Sequence, residues 1–467
     1  LFVEQPPVPV ASPSLAVLNE DLARDLGLEP DFLTKPEGVA VLAGNALPSG
    51  ARPLAQAYAG HQYGHFTMLG DGRAIVIGEQ IDPRGIRRDL QYKGSGRTPF
   101  SRDGDGRAAL GLMLREYLVS EAMHALGIPT TRTLSVVATG EKVLRPAGLQ
   151  PGAILIRVAA SHIRVGTFEY AAATGERDLL ERFANYTIAR HYPAALESPS
   201  PARTFLEAVI AAQASLIAQW MLVGFIHGVM NTDNGAVSGE TIDFGPCAFM
   251  DAYDPETVFS SIDRHGRYAY GNQPAIALWN MERLAVALLP LLGGDEPTAR
   301  AAAVAALDGF QPRYHSAFVA GMRGKLGMIG VEKEDEALIE ELLETMTAHR
   351  LDHTNTFLDL AASLESGEAA SSCGLESWIP RWRARLARQP GGATAGRPLM
   401  TAANPQIVPR NHHLEAVLTA FEEGNRQPWN DFLSALRSPF ATHPLHARYR
   451  DPAPVEFAAR YRTFCGT

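Results

Sequence analysis

Between His227 and Gly245 the chain reads HGVMNTDNGAVSGETIDFG, and this stretch concentrates groups able to do chemistry. Two carboxylates, Asp233 and Asp243, and the amide of Asn234 stand in short loops separated by a turn. Oxygen ligands of this kind suit a hard divalent cation, and such cations keep company with phosphates. Upstream, Leu69-Gly70-Asp71-Gly72-Arg73 precedes a β-prone run. Its missing side chains let backbone N–H groups approach a phosphate. Alone this turn is weak, because it falls short of both the dinucleotide fingerprint and the Walker loop. It gains weight from Lys93, which ends the next expected strand, and from Glu116 in the helix that follows. Glu116 shares a face with Leu112, Met113 and Met123, so it is expected half-buried and in need of a cationic partner; Glu121 competes for the same assignment.

A glycine-rich turn, a strand lysine, a helix glutamate, a His-initiated loop closed by asparagine, and Asp-Phe-Gly follow one another in the order of a protein kinase. One member is replaced. The base aspartate's place, two residues after His227, is Val229, which can neither accept a proton nor hold a hydroxyl, while Asp233 stands beside Asn234. The chain reads as a nucleotide site built on kinase parts but aimed differently. Arg157 and Arg164 are spaced to converge on one polyanion, a pair of surface salt bridges being the alternative. His61 and His65 stand at helical spacing, but without a matching acidic motif packing or substrate contact ranks above metal. Lys93-Gly94-Ser95-Gly96-Arg97 lacks the Walker order, and Asp103-Gly104-Asp105-Gly106 lacks the ligand pattern of a calcium loop.

The elements that must position these groups fall into two halves. Residues 1–60, rich in proline and alanine, read as an arm with one short helix around Leu15–Leu26. Residues 61–175 are strand-rich: Ala74–Glu79, Asp89–Lys93, Leu134–Ala138 and Glu141–Leu144 joined at Thr139-Gly140, and Ala153–Val158. One helix, Arg107–Leu126, is inserted among them and stops at Gly127-Ile128-Pro129. Residues 176–467 are mostly helical, the long segment Ala202–Ile226 running straight into the motif-bearing loop. The expectation is an α+β fold of two lobes on the protein-kinase plan.

Composition narrows the function. A chain of 467 residues with 46% hydrophobic and 20% charged residues is ordinary globular material. A net charge of −9 argues against nucleic acid as the main partner. No apolar run is expected to cross a bilayer, and LFVEQPPVPV lacks the basic and apolar regions of a secretory signal. Cys247, Cys373 and Cys465 are too few and scattered for a disulfide framework, so a reducing, cytoplasmic setting is expected.

Tyr58–Phe66, Leu69–Arg73, Gln91–Gly96, Asp103–Arg107, Arg157–His162, His227–Asn234 and Asp243–Cys247 together resemble the selenoprotein O family, the YdiU-type pseudokinases; the likeness runs from about residue 50 to the end, including Asn404-Pro405-Gln406 to Arg410-Asn411. This resemblance implies a kinase-like fold that binds ATP in inverted orientation and transfers AMP to hydroxyl side chains of other proteins. It implies nucleotide contacts from Gly70, Gly72 and Arg73, phosphates held by Lys93 with Glu116 and by Arg157 and Arg164, and the reversed adenosine end at Asp105 and Gly106. It implies Asn234 and Asp243 as metal ligands for Mg²⁺ or Mn²⁺, and Asp233 as the general base. The implied partners are proteins with acceptor hydroxyls, redox-related proteins among the candidates. Family members often end in a selenocysteine or cysteine motif, here Cys465-Gly466-Thr467, which leaves a redox pairing with Cys247 or Cys373 open. A phosphotransferase of ordinary polarity and an inactive nucleotide-binding scaffold are the rival readings.

Overall fold

The computed structural model describes residues 1–146, 148–366 and 374–464, so Cys373 and Cys465 lie outside the described residues. Strands dominate the first part: β1 (Phe2–Glu4), β2 (Ser14–Leu18), β3 (Leu54–Gln56), β4 (Ala59–Gln62), β5 (His65–Met68), β6 (Ala74–Ile81), β7 (Arg87–Lys93), β8 (Ala108–Ala109), β9 (Arg132–Arg145) and β10 (Gly148–Ala159). Eight form an antiparallel sheet in the order β1-β3-β6-β7-β10-β9-β2, with β8 on β10, while β4 and β5 make a separate hairpin. Ile75-Val76-Ile77 and Ile154-Leu155-Ile156 are buried throughout, which is why they read as continuous apolar runs. Between β6 and β7 the Asp82 carboxylate accepts the N–H groups of Arg84 (2.9 Å) and Ile86 (2.8 Å), the local bonding that favours aspartate in turns.

Helices α1 (Glu20–Asp25), α2 (Pro30–Leu33) and α3 (Pro36–Leu42) cover one side of the sheet, Leu22, Leu33 and Leu42 joining Tyr92, Ile154 and Ile156 in a single core. The inserted helix α4 (Leu110–Ala125) packs on β9 and β10 and on the helices Asn411–Glu422 and Gln427–Leu436. Enclosed this way, every residue from Met113 to Met123 is buried, Glu116 included, where half-burial was expected. Beyond the sheet come α5 (Val165–Ala173), α6 (Arg177–His191), α7 (Pro201–Val223) and α8 (Gln273–Leu288). Short strands β11 (Phe225–Ile226) and β12 (Ala248–Phe249) pair antiparallel and pinch the ends of the motif-bearing loop together. A sheet-based lobe carrying α4, and a helical lobe that the chain enters between β10 and α5, make a protein-kinase-like α+β fold.

Three local expectations change. Leu15–Leu26 is not one helix: Ser14–Leu18 extends along β9, and only Glu20–Asp25 coils, with the Asn19 side chain accepting the Leu22 N–H. The pairing offered by β9 outweighs helical propensity there. Thr139-Gly140 is not a hairpin turn but lies inside β9, where Gly140 adopts φ +74° and the register against β10 slips between Pro151 and Ala153. The reversal comes between Arg145 and Gly148 instead. Finally, α7 is by length and composition apolar enough to span a membrane, contrary to the sequence reading. Its apolar character has a different cause here, because Phe205, Leu206, Val209, Ile210 and Leu216 are buried against neighbouring helices.

Candidate active site

A cleft of about 840 Å³ is lined by Gly70, Gly72, Arg73, Lys93, Asp105, Gly106, Arg157, Arg164, Asp233, Asn234 and Asp243. Glu116 stands behind its wall. Lys93, at the end of β7 opposite Ala74 and Leu155, donates from Nζ to Glu116 Oε2 (2.5 Å) and to Asp243 Oδ1 (2.8 Å). Arg157, in β10 opposite Gln91, gives Glu116 Oε1 two hydrogen bonds (3.0 and 2.5 Å) and lies 4.0 Å from Asp243. Burial opposes ionisation of Glu116, but Arg157 and Lys93 outweigh it and hold the carboxyl below the ordinary range. Asp243 is only part-buried, at the cleft face, and is held far below that range by Lys93 and Arg157. Glu121 is excluded as the lysine's partner, since Arg132 binds it bidentately at 2.9 and 2.7 Å.

Arg164 precedes α5 and is buried. Its guanidinium donates to the Asp233 carbonyl (2.8 Å), lies 3.7 Å from Asp71 and covers the Tyr58 ring at 4.5 Å. Asp71 is pushed up to about 6 by burial, only partly offset by Arg164 and the Gln56 N–H. The glycine-rich turn is held from outside: the Thr98 hydroxyl donates to Asp71 O (2.6 Å) and Ser101 to Gly72 O. Asp105 accepts from the Arg107 N–H (2.9 Å) and from Arg145 (2.8 Å), tying its loop to the tip of β9.

In the loop between β11 and β12, burial lowers the buried His227 below the ordinary imidazole range. Its Nε2–H donates to Ile242 O (2.8 Å), so His227 links the catalytic-loop segment to the residue before Asp243. Asn234 donates from Nδ2 to Val229 O (3.0 Å), and its amide oxygen is the end left for a cation. Asp233 sits in a one-turn helix, Thr232–Asn234, with a buried Oδ1 that has no hydrogen-bond partner. A Cβ on Gly60 would come within 2.3 Å of that oxygen, so glycine at this point of β4 makes room for the carboxylate. Burial pushes Asp233 up to about 6; Arg164 opposes the shift, and Asp243 and Glu169 add to it. Above that pH the carboxylate is ionised and can take a proton.

His61 and His65 are not on a helix. They belong to the β4–β5 hairpin, His61 facing Phe66 and Gln62 facing His65. His65 is exposed, whereas His61 Nδ1 lies 2.5 Å from Glu169 Oε1. Among the described residues no cluster of three or more His, Cys, Asp or Glu side chains is arranged for a metal. Cys247 is fully buried, and burial pushes its thiol up to about 12, which makes it a poor partner for exchange. Sequence reasoning passed over Asp71, Tyr58, Arg145 and Glu169. For Asp71 the signal was present, a carboxylate between two glycines; for Glu169 the only cue was a charge inside an otherwise apolar segment.

A two-lobed kinase-like protein with the lysine–glutamate pair, paired metal-type ligands and no base at Val229 is a nucleotide-dependent transferase. The family described as protein adenylyltransferase SelO matches residues 3–437. Relatives named "Protein nucleotidyltransferase YdiU" include one from Cereibacter sphaeroides, 55% identical and covering all of this chain and 97% of its own. One from Brevibacillus brevis is 56% identical and covers 99% and 94%. A solved structure, ROP2 from Toxoplasma gondii, described as having a protein-kinase fold and no enzymatic activity, aligns at 11% identity and TM-score 0.24 over 70% of this chain and 87% of that one. The chain belongs to the protein adenylyltransferase SelO family, and it is an enzyme of the nucleotidyltransferase class.

Proposed function

We propose that this enzyme transfers AMP from ATP to Ser, Thr or Tyr hydroxyls of protein substrates, with the nucleotide reversed relative to an ordinary kinase. The observation that carries the reading is the displaced carboxylate: Val229, at the kinase base position, is 4% exposed and apolar, while Asp233 lines the same cleft as the cationic groups. Lys93, Arg157 and Arg164 grip the triphosphate, Lys93 and Arg157 being fixed by Glu116. The turn around Gly70, Gly72 and Arg73 contacts the nucleotide, and the loop at Asp105 and Gly106 receives its adenosine end. The acceptor oxygen attacks the α-phosphorus, its proton passes to Asp233, and the bond to the departing pyrophosphate breaks. The cationic side chains balance charge growing on the phosphates.

The donor set fits a hard cation, because the Asn234 amide oxygen and the Asp243 carboxylate are oxygen ligands, and a magnesium-type ion fills its other positions with water and phosphate oxygens. When bound, Mg²⁺ or Mn²⁺ would neutralise phosphate charge at Asn234 and Asp243. A reducing, cytoplasmic setting belongs to the same proposal and rests on the three scattered cysteines.

Intact-mass analysis of an acceptor protein after incubation with ATP and divalent metal tests the reading. Addition of an AMP unit is expected, and its loss in Asp233→Asn. Addition of a phosphate, or no addition, would replace this proposal with the phosphotransferase or the scaffold.

A further inference from the structure

Beside Asp233 stands a buried carboxylate that the transfer scheme leaves unused. Glu169, on α5, is 6% exposed, and its Oε2 accepts the Thr232 hydroxyl at 2.5 Å. Its other oxygen lies 2.5 Å from His61 Nδ1. The same Thr232 hydroxyl accepts the His61 backbone N–H at 2.7 Å. One carboxylate thus ties α5, β4 and the turn Thr232–Asn234 into a closed triangle. Among the described residues no arginine or lysine nitrogen comes within ion-pair distance of Glu169. A buried carboxylate is costly unless polar contacts offset its desolvation; one oxygen of Glu169 is met by the hydroxyl of the residue next to Asp233, and the other lies beside His61, whose backbone N–H binds that same hydroxyl.

The neighbouring contacts point to the same purpose. The Val165 N–H donates to Gly235 O (2.8 Å), and Arg164, just before α5, to Asp233 O (2.8 Å), so the start of α5 grips the backbone of the turn just beyond the Glu169 contact. The His61 ring is fixed edge-on to Trp279 at 5.2 Å and to Phe66 at 5.4 Å. Since Asp233 Oδ1 has no hydrogen-bond partner, the backbone of the turn carries the burden of aiming that carboxylate. We propose that Glu169 is a positioning residue, which through Thr232 and His61 holds the turn so that Asp233 meets the acceptor hydroxyl. The inference rests on the AMP-transfer reading for the reaction it serves.

Three variants test it. Thr232→Val removes the hydroxyl and keeps the shape, Thr232→Ser keeps the hydroxyl, and Glu169→Gln removes the charge. For Thr232→Val the expected result is a fall of roughly 100-fold in kcat for AMP transfer, the cost of misplacing a reacting group by about 1 Å, with KM for ATP unchanged. Thr232→Ser should stay within about 3-fold of wild type, and Thr232→Val combined with Glu169→Gln should be no slower than the worse single variant, because one linkage is broken twice. Wild-type kcat in Thr232→Val, a Thr232→Ser as slow as Thr232→Val, or additive losses in the double variant would overturn the proposal. Amide exchange without nucleotide gives a second decision. It should speed up across residues 231–235 in Thr232→Val, and unchanged exchange there overturns the positioning even if wild type transfers no AMP. That last result by itself would sink the parent reading instead.

Discussion

Replacing Glu116 with glutamine tests the anchor on which the proposed phosphate binding depends. As a carboxylate, Glu116 offers two acceptor oxygens, one taken by Lys93 (2.5 Å) and the other by Arg157 (3.0 and 2.5 Å). An amide of the same shape has one acceptor and one donor, so either Lys93 or Arg157 is left donor against donor. Removing one partner of a buried ion pair costs about 3–5 kcal/mol. Asp243 still lies 2.8 Å from Lys93 and 4.0 Å from Arg157 and balances one cation, which places Glu116→Gln at about 3 kcal/mol, the lower end of that range. Urea unfolding at pH 7 measures it directly. The sign with pH follows from the depressed carboxyl: its stabilisation is complete above the ordinary glutamate range and is lost as pH falls through the lower folded value. The gap between wild type and variant should therefore close below about pH 4. With Lys93 drawn toward Asp243, AMP transfer should fall roughly 100-fold. A variant within 0.5 kcal/mol of wild type (roughly the scatter of neutral surface changes) that transfers AMP at the wild-type rate would refute the anchoring argument.

Other outcomes are as specific. Transfer by wild type should decline as pH drops through about 6, where Asp233 takes up a proton, and Asp233→Asn should lose both the activity and this limb while still binding ATP; initial rates across the pH range and ATP titration check it. Gly60→Ala sets a methyl 2.3 Å from Asp233 Oδ1, the movable end of a side chain, so thermal unfolding should change little while kcat falls at least about tenfold. Arg385→Ala removes a buried partner from Asp335 (2.7 Å) but leaves Arg323 on the same carboxylate (2.8 Å); unfolding should show a loss of about 3 kcal/mol, with activity per folded molecule unchanged.

What could be read without coordinates was carried by residues whose chemistry is local. Lys93 ends a strand, Glu116 sits in the helix that follows that strand, and Asp243 opens Asp-Phe-Gly, so type and order sufficed to bring them together. What escaped depends on surroundings. The residues of α5 are buried nearly all round, which erases the one-sided pattern that marks a surface helix, and the enclosure of α7 makes its composition resemble a membrane span. Ser14–Leu18 is a strand because β9 is beside it, a fact its own residues do not contain.

Val229 shows how far a departure from a motif can be interpreted once the backbone is known. Its side chain cannot move a proton, yet its carbonyl accepts Asn234 Nδ2 (3.0 Å) and its N–H points at His227 Nδ1 (3.4 Å). His227 in turn holds Ile242 O (2.8 Å), next to Asp243. The position therefore makes the backbone contacts that join Asn234 to the segment before Asp243, while its side chain is apolar. A loop that had merely decayed would not be expected to keep that linkage intact while placing a new carboxylate, Asp233, in the same cleft. On the AMP-transfer proposal, the apolar Val229 and the carboxylate four residues later belong to a single arrangement, in which the contacts joining Asn234 and Asp243 are kept while the proton acceptor stands at Asp233.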